Sequence, residues 1–406
     1  NFVGKTAFAA VNLIMPLPML LGTIGFMLGT GGSAIVGITL GEGDQKKADR
    51  YFTLFLLAAL VSVSVLAVLG IVFLRPIAVL LGAKGELLDY AVRYGRILMV
   101  SLPTFALQNI FQSFFVTAEK PHLGFWFTVG AGCTNMVLDV LMVGIWGWGV
   151  EGAAIATFIS QLVGGVLPVF YFIDRSNSSR LHLCKTSFYS KVLRDACING
   201  SSELMTNLSM SLVNILYNYQ LLRLAGENGV AAYGVIMYAA FLFVAVFVGY
   251  AVGSAPIVSF HYGARNHAEV HNLYRKSLRL IAVVAVTLTL ASMFIIPCVA
   301  RIFVGYDAEL LALTSRAFRL YALSFLIMGF NVYASSFFTA LGDGVTSALI
   351  SFLRTLAFQV IAILLLPLLL GIDGIWLAVT AAELAALAVS AAMLLTKDKV
   401  FHYRKA

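Results

Sequence analysis

The chain has 406 residues, of which 60% are hydrophobic and only 11% charged, and its mean hydropathy is +0.93. Soluble globular chains run about 45–50% apolar and about 25% charged, so charge this sparse cannot cover a water-facing surface. That excludes a disordered chain, a collagen, a coiled coil and a nucleic-acid binder, and leaves a polytopic membrane protein. The net charge of +8 is no basic patch, because the 27 Lys and Arg are scattered among short loops. Cys133, Cys184, Cys197 and Cys298 lie far apart with no CxxC, so they read as neither a disulfide framework nor a zinc site.

A membrane helix needs about 20 mainly apolar residues. With charge clusters taken as boundaries, eleven spans are predicted at 7–40, 51–74, 88–116, 123–146, 151–173, 196–222, 230–260, 278–300, 310–340, 345–369 and 374–396. The first is no signal peptide, since it is too long and lacks a basic leader or an A-x-A cleavage site. The longest interval, 174–195, reads as a polar linker. Counting Lys and Arg on alternate sides gives 17 against 9, with Arg354 inside a span. The excess places the C-terminus in the cytoplasm and residue 1 outside.

The chain also matches itself at an offset of 222. Gly4 falls on Gly226, Ala9-Ala10 on Ala231-Ala232, Ile35-Val36 on Ile257-Val258, Gly41 on Gly263 and Asp44 on Asn266. At 223, Arg93 and Arg96 fall on Arg316 and Arg319, and Phe114-Phe115 on Phe337-Phe338. Gly152 and Ala156 return to 222, on Gly374 and Ala378. Equivalent loops lie on one side of the membrane, so the repeats are parallel, one of the two symmetries of transporters. The span 196–222 has no counterpart in the first repeat. The expected architecture is two six-helix lobes, 1–183 and 184–406, with the first helix absent and about eleven present.

Ionisable groups at bilayer depth are costly and face a cavity or a partner. Four fall well within the spans: Asp139, Glu203, Arg354 and Glu383. Asn135 and Asp139, at i and i+4, share one helix face. Their oxygens suit a hard cation such as sodium, or a proton, though an interhelical hydrogen bond is the alternative. Asn199, Glu203, Asn207, Ser211, Asn214 and Asn218 recur at steps of three and four, a continuous polar stripe that lipid would not tolerate. It is expected to line a water-filled path, against the alternative of a packing face with satisfied amides. Arg354 and Glu383, in adjacent spans, are expected to form a buried structural pair. Gln108 and Gln112 make a smaller polar face. No Walker A loop, HExxH or nucleophile elbow appears, so no enzyme is expected.

Asn1-Phe-Val-Gly followed by Ala9-Ala-Val, Gly41-Glu-Gly-Asp, Asn135-Met-Val-Leu-Asp139 and Gly152-Ala-Ala-Ile-Ala-Thr157 resemble the multidrug and toxic compound extrusion (MATE) transporters. The second half, with Gly200-Ser-Ser-Glu203 and Gly229-Val-Ala-Ala-Tyr-Gly, is similar to the bacterial MepA-like branch. The resemblance implies twelve helices in two lobes and export of organic cations in exchange for sodium ions or protons, with no other cofactor. It implies that Asn135, Asp139 and Thr157 belong to a cation site and that Glu203 is the acidic residue of the seventh family helix. The family's first helix carries an Asp just ahead of the Phe-Val-Gly motif, and this sequence begins at Asn1.

The expected protein is therefore a monomeric antiporter of a bacterial cell membrane, alternating access between two lobes. Its partners are small organic cations and the bilayer, with Asn199, Asn207, Asn214, Asn218, Gln108 and Gln112 lining the substrate cavity. A flippase for a lipid-linked saccharide would need a cationic interior, and here three acids face one Arg. A membrane-embedded enzyme would need clustered catalytic groups at one membrane face.

Overall fold

The computed structural model describes residues 5–403, the side chains of Lys5 and Phe8 apart. Asn1–Gly4, which open the family-like motif and pair Gly4 with Gly226, and the basic Arg404 and Lys405 lie outside the described residues. The chain divides into two compact units, Asn1–Gly200 and Ser201–Ala406. The first holds α1 (Lys5–Ile14), α2 (Pro16–Gly41), α3 (Gln45–Leu80), α4 (Glu86–Thr117), α5 (Pro121–Asp139), α6 (Gly149–Gly165) and α7 (Leu167–Ile173). A π-helical stretch, Val140–Ile145, continues α5. The long α8 (Ser190–Gly263) begins in this unit and runs into the second. There follow α9 (His267–Val304), α10 (Ala308–Ala322), α11 (Phe325–Ala340), α12 (Gly344–Phe352), α13 (Phe358–Leu370), α14 (Ile372–Thr396) and α15 (Asp398–Phe401), with π-helical Leu353–Ala357 joining α12 to α13. No strand occurs among the described residues, as a bilayer demands of a chain that must satisfy its backbone within each segment.

Among the described residues, nine helices are long and apolar enough to cross a membrane, or ten if α10 and α11, bent by 46°, form one span. In α8, Gly226 (φ 60, ψ −149) is non-helical and separates two lengths, each longer than the roughly 20 residues of a span. The described crossings are thus eleven, at the positions the hydropathy predicts. Their outer faces are apolar: Val61, Val65, Val68 and Val72 of α3, spaced by four, three and four, are all exposed. An apolar stripe of that kind is stable only against lipid. Inside the first unit, Phe52, Phe111, Phe114, Phe115 and Phe172 are buried together, with Phe111 and Phe172 stacked at 5.5 Å. In the second, Phe318, Phe325, Tyr333, Phe337, Phe338 and Trp376 do the same.

The internal repeat is visible in the backbone. Asp44 caps α3 by accepting from the Lys47 amide at 3.0 Å, and its counterpart Asn266 caps α9 by accepting from the Glu269 amide at 3.1 Å. Positive φ recurs in register: Gly43 (85°) with Arg265 (55°), Glu119 (60°) with Gly342 (83°), and Gly149 (58°) with Gly371 (59°). The middle pair is offset by 223 and the others by 222, the same slip that the sequence shows. An ion pair repeats too. Arg93 meets Glu151 at 3.2 Å, and Arg316 meets Asp373.

The stretch between α7 and α8 is stitched down. The Asp49 carboxylate accepts from the His182 amide at 3.0 Å, Thr53 Oγ1 accepts from the Cys184 amide at 3.1 Å, and Thr186 donates to the Arg50 carbonyl at 2.8 Å. The division between units falls at Gly200/Ser201, within α8, and the sequence repeat places the lobe boundary at 183/184. The first turns of α8 lie so close to α2 that a Cβ on Gly31 would collide with the Ala196 carbonyl, and one on Gly200 with the Met27 carbonyl. Small residues permit such backbone approach between membrane helices. Asn199 adds a weak bond, Nδ2 donating to the Gly31 carbonyl at 3.5 Å.

Two outcomes follow from this packing. Gly200→Leu must push α8 off α2 and should cost about 1–3 kcal/mol, read as a lower Tm in detergent; an unchanged Tm would mean the approach is not needed. Asp343 caps α12 through the Thr346 amide (3.1 Å) and hydroxyl (2.7 Å) and pairs with Lys397 at 2.8 Å. Burial alone would raise its carboxyl, but the bonds from Lys397 and Thr346 outweigh it and hold the group below the usual range. A depressed folded value stabilises above the unfolded value near pH 4, and that gain is lost as pH falls through the folded one. Asp343→Asn should therefore cost about 0.5–1 kcal/mol at pH 7, the pair being partly exposed and screened. The gap to wild type should close on acidification below about pH 4.

Candidate functional site

In the first unit α5 packs along α6. Asn135 and Asp139 occupy successive turns of α5, and the π-helical stretch starts at the next residue. Such wide turns are frequent at functional sites. Asp139 Oδ1 and Asn135 Nδ2 are buried atoms with no hydrogen-bond partner among the described residues. On α6, Thr157 Oγ1 donates to the Ala153 carbonyl at 3.0 Å and keeps its lone pairs, and Gln161, one turn on, has a buried Oε1 without a partner. Tyr94 of α4, nearly fully buried, lies within electrostatic reach of Asp139, and its hydroxyl donates to Met15 Sδ at 3.6 Å.

A buried carboxylate oxygen without a donor is unfavourable as it stands. Protonation or a bound cation relieves it. One carboxylate with neutral amide and hydroxyl oxygens suits a hard monovalent ion or a proton. Among the described residues no three His, Cys, Asp or Glu converge as metal ligands, so the donor set does not resemble a transition-metal centre.

The polar stripe of α8 changes character along its length. Asn199 is buried against α2, Glu203 and Asn207 are half-buried, and Ser211 and Asn214 are exposed. The amides turn back on their own helix: Asn207 Nδ2 donates to the Glu203 carbonyl at 2.9 Å, and Asn218 Nδ2 to the Asn214 carbonyl at 3.0 Å. Only Ser211 and Asn214 of the stripe are exposed; Asn218, beyond them, is half-buried again. Gln108 is half-buried, its amide filling the space beside Gly164, while Gln112 is exposed.

The second unit gathers the remaining charges. Arg354, on the π-helical stretch after α12, reaches Glu383 of α14 with Nη1 and Oε1 3.7 Å apart. Glu383 is 1% exposed, and its Oε2 accepts from Asn331 Nδ2 of α11 at 2.7 Å. Asn331 Oδ1 in turn accepts from Ser390 Oγ at 2.9 Å. The Arg354 charge bears on Glu203 as well as on Glu383. Tyr321 lies within the field of both Glu383 and Arg354, and Tyr217 stacks on Tyr233 at 5.0 Å beside it. The expected Arg354–Glu383 pair is thus present, and its arginine lies within electrostatic reach of Glu203.

Sequence reasoning passed over Tyr94, Gln161, Asn331, Ser390 and the three tyrosines. Only Gln161 carried a signal, four residues beyond Thr157 on one helix face.

The MatE family model matches residues 1–141 and 204–365. The chain is 21% identical over 407 residues to a multidrug export protein MepA of Staphylococcus saprophyticus subsp. saprophyticus, covering 98% of this chain and 88% of that one. It is 21% identical over 394 residues to a MepA of Staphylococcus aureus (strain MSSA476), covering 97% and 86%. Among solved structures, a crystal structure of MATE in complex with MaL6 matches with a TM-score of 0.92 at 22% identity, over 99% of this chain and 90% of that one. An outward-facing conformation of a multidrug resistance MATE family transporter of the MOP superfamily gives 0.92 at 23% identity, over 100% and 90%. With the fold shared by those structures and three quarters of its length matched by the family model, the chain belongs to the MATE family of membrane transporters.

Proposed function

We propose that this transporter exports organic cations across a bacterial cell membrane in exchange for sodium ions or protons, by alternating access of its two units. The observation that carries the reading is the stripe on α8: a carboxylate and five neutral polar residues at bilayer depth, opening from buried to exposed. The MepA relatives, named as multidrug export proteins, favour the same substrate class.

In this reading Asn207, Ser211, Asn214 and Asn218 offer hydrogen bonds along the substrate path, and Asn199 seats the helix. Glu203 attracts the cation. Asn135, Asp139 and Thr157 hold the coupling ion, Asp139 through the oxygen that has no donor. Coupling requires only that the ion bind one conformation more tightly than the other. Flat aromatic cations would add cation–π contact with aromatic side chains. The excess of Lys and Arg puts the C-terminus in the cytoplasm.

Asp139→Asn keeps the shape and removes the charge. It should abolish ethidium efflux driven by a sodium or proton gradient while leaving the detergent-solubilised protein monodisperse; normal efflux would reduce Asp139 to a structural acceptor. Glu203→Gln should weaken ethidium binding roughly tenfold or more, the scale set by losing one member of a buried charge contact. A neutral substrate should be unaffected. Equal loss for both would show that the change disturbs packing rather than charge recognition.

A further inference from the structure

The cluster Glu203–Arg354–Glu383 carries two negative charges and one positive, and its two carboxylates are held differently. Glu383 is fixed: it is buried on α14, and Asn331 and Ser390 bind it in series at 2.7 and 2.9 Å. Arg354 is not. Its Nη1 stands 3.7 Å from Glu383 Oε1, beyond hydrogen-bond length, and the same buried nitrogen has no hydrogen-bond partner among the described residues. A guanidinium bound by choice to a carboxylate makes two short parallel bonds. Arg354 also projects from the π-helical stretch Leu353–Ala357, where the ordinary i→i+4 backbone ladder is interrupted. Its charge also bears on Glu203, without an ion pair to it among the described residues.

We propose that Arg354 is a tethered internal cation that competes with the exported cation for Glu203, with Glu383 as the post that draws it away. With no ligand, the guanidinium is shared between the two carboxylates. When an organic cation reaches Glu203, repulsion moves Arg354 toward Glu383, and the cluster becomes neutral with one positive charge added. Arg354 therefore sets how tightly the site holds a cation and keeps it weak enough to release. The inference rests on the reading of Glu203 as the carboxylate that meets the substrate.

The test is ethidium binding, by fluorescence, to the full-length protein in detergent, with thermal unfolding as a check on folding. Glu383→Gln removes the post, leaves Arg354 to Glu203 and should weaken binding. Arg354→Gln with Glu383→Gln removes the competitor and its post together, keeps the net charge, and should tighten binding. Each change should be about tenfold or more, the effect of one opposite charge within a few ångström of a carboxylate. Opposite signs distinguish competition from structural support, since a pair needed only for packing would weaken binding in both variants. Double-variant binding that is unchanged or weaker, while Glu203→Gln still weakens it, overturns the role of Arg354 alone. If Glu203→Gln has no effect, the reading of Glu203 and the competition both fall. Should Glu383→Gln not fold, the double variant decides by itself.

Discussion

A charge at bilayer depth must be paired, neutralised or turned toward water, and that cost organises this protein. The lipid face of α3 is a row of valines, and the hydrocarbon-facing surface follows the same rule along most helices. The interior keeps few ionisable groups, and each sits in a different state of compensation. Asp139 has an oxygen with no donor among the described residues. Glu383 is fully engaged. Arg354 is engaged incompletely, and Glu203 lies on a stripe that opens outward. A fold that only needed to stand in a membrane would have no use for the first or the last.

The repeat sharpens that contrast. What recurs between halves is frame: the caps Asp44 and Asn266, the positive-φ turns, and the ion pairs Arg93–Glu151 and Arg316–Asp373. What does not recur is the charged interior. In register, Asn135 and Asp139 fall on apolar residues near 357–362, and Gln161 falls on Glu383. Two copies of one scaffold have thus been given different polar contents. The first unit holds a lone carboxylate among neutral polar groups. The second holds a charged cluster beside the stripe.

The sequence made legible whatever depends on local pattern. Span positions follow from runs of apolar residues, the stripe from steps of three and four, and the repeat from in-register matches that reappear as shared caps and turns. Convergence across the chain was largely hidden. Asn331 and Ser390 are single polar residues in apolar runs, and only packing of α11 on α14 brings them to Glu383. Tyr94 lies 45 positions from Asp139, with no periodicity linking them. The close approach of α8 to α2 at Gly31 and Gly200 is likewise beyond what hydropathy can express.

The central claim is that binding of a drug cation at Glu203 is linked to release of a coupling ion held at Asp139. Its most direct test needs no gradient. Ethidium is added to the purified protein in weakly buffered detergent, with a pH indicator present or after loading with radioactive sodium. The account predicts that a proton or a sodium ion is released as the dye binds, and that release saturates with binding. Full ethidium binding with neither ion released would contradict it.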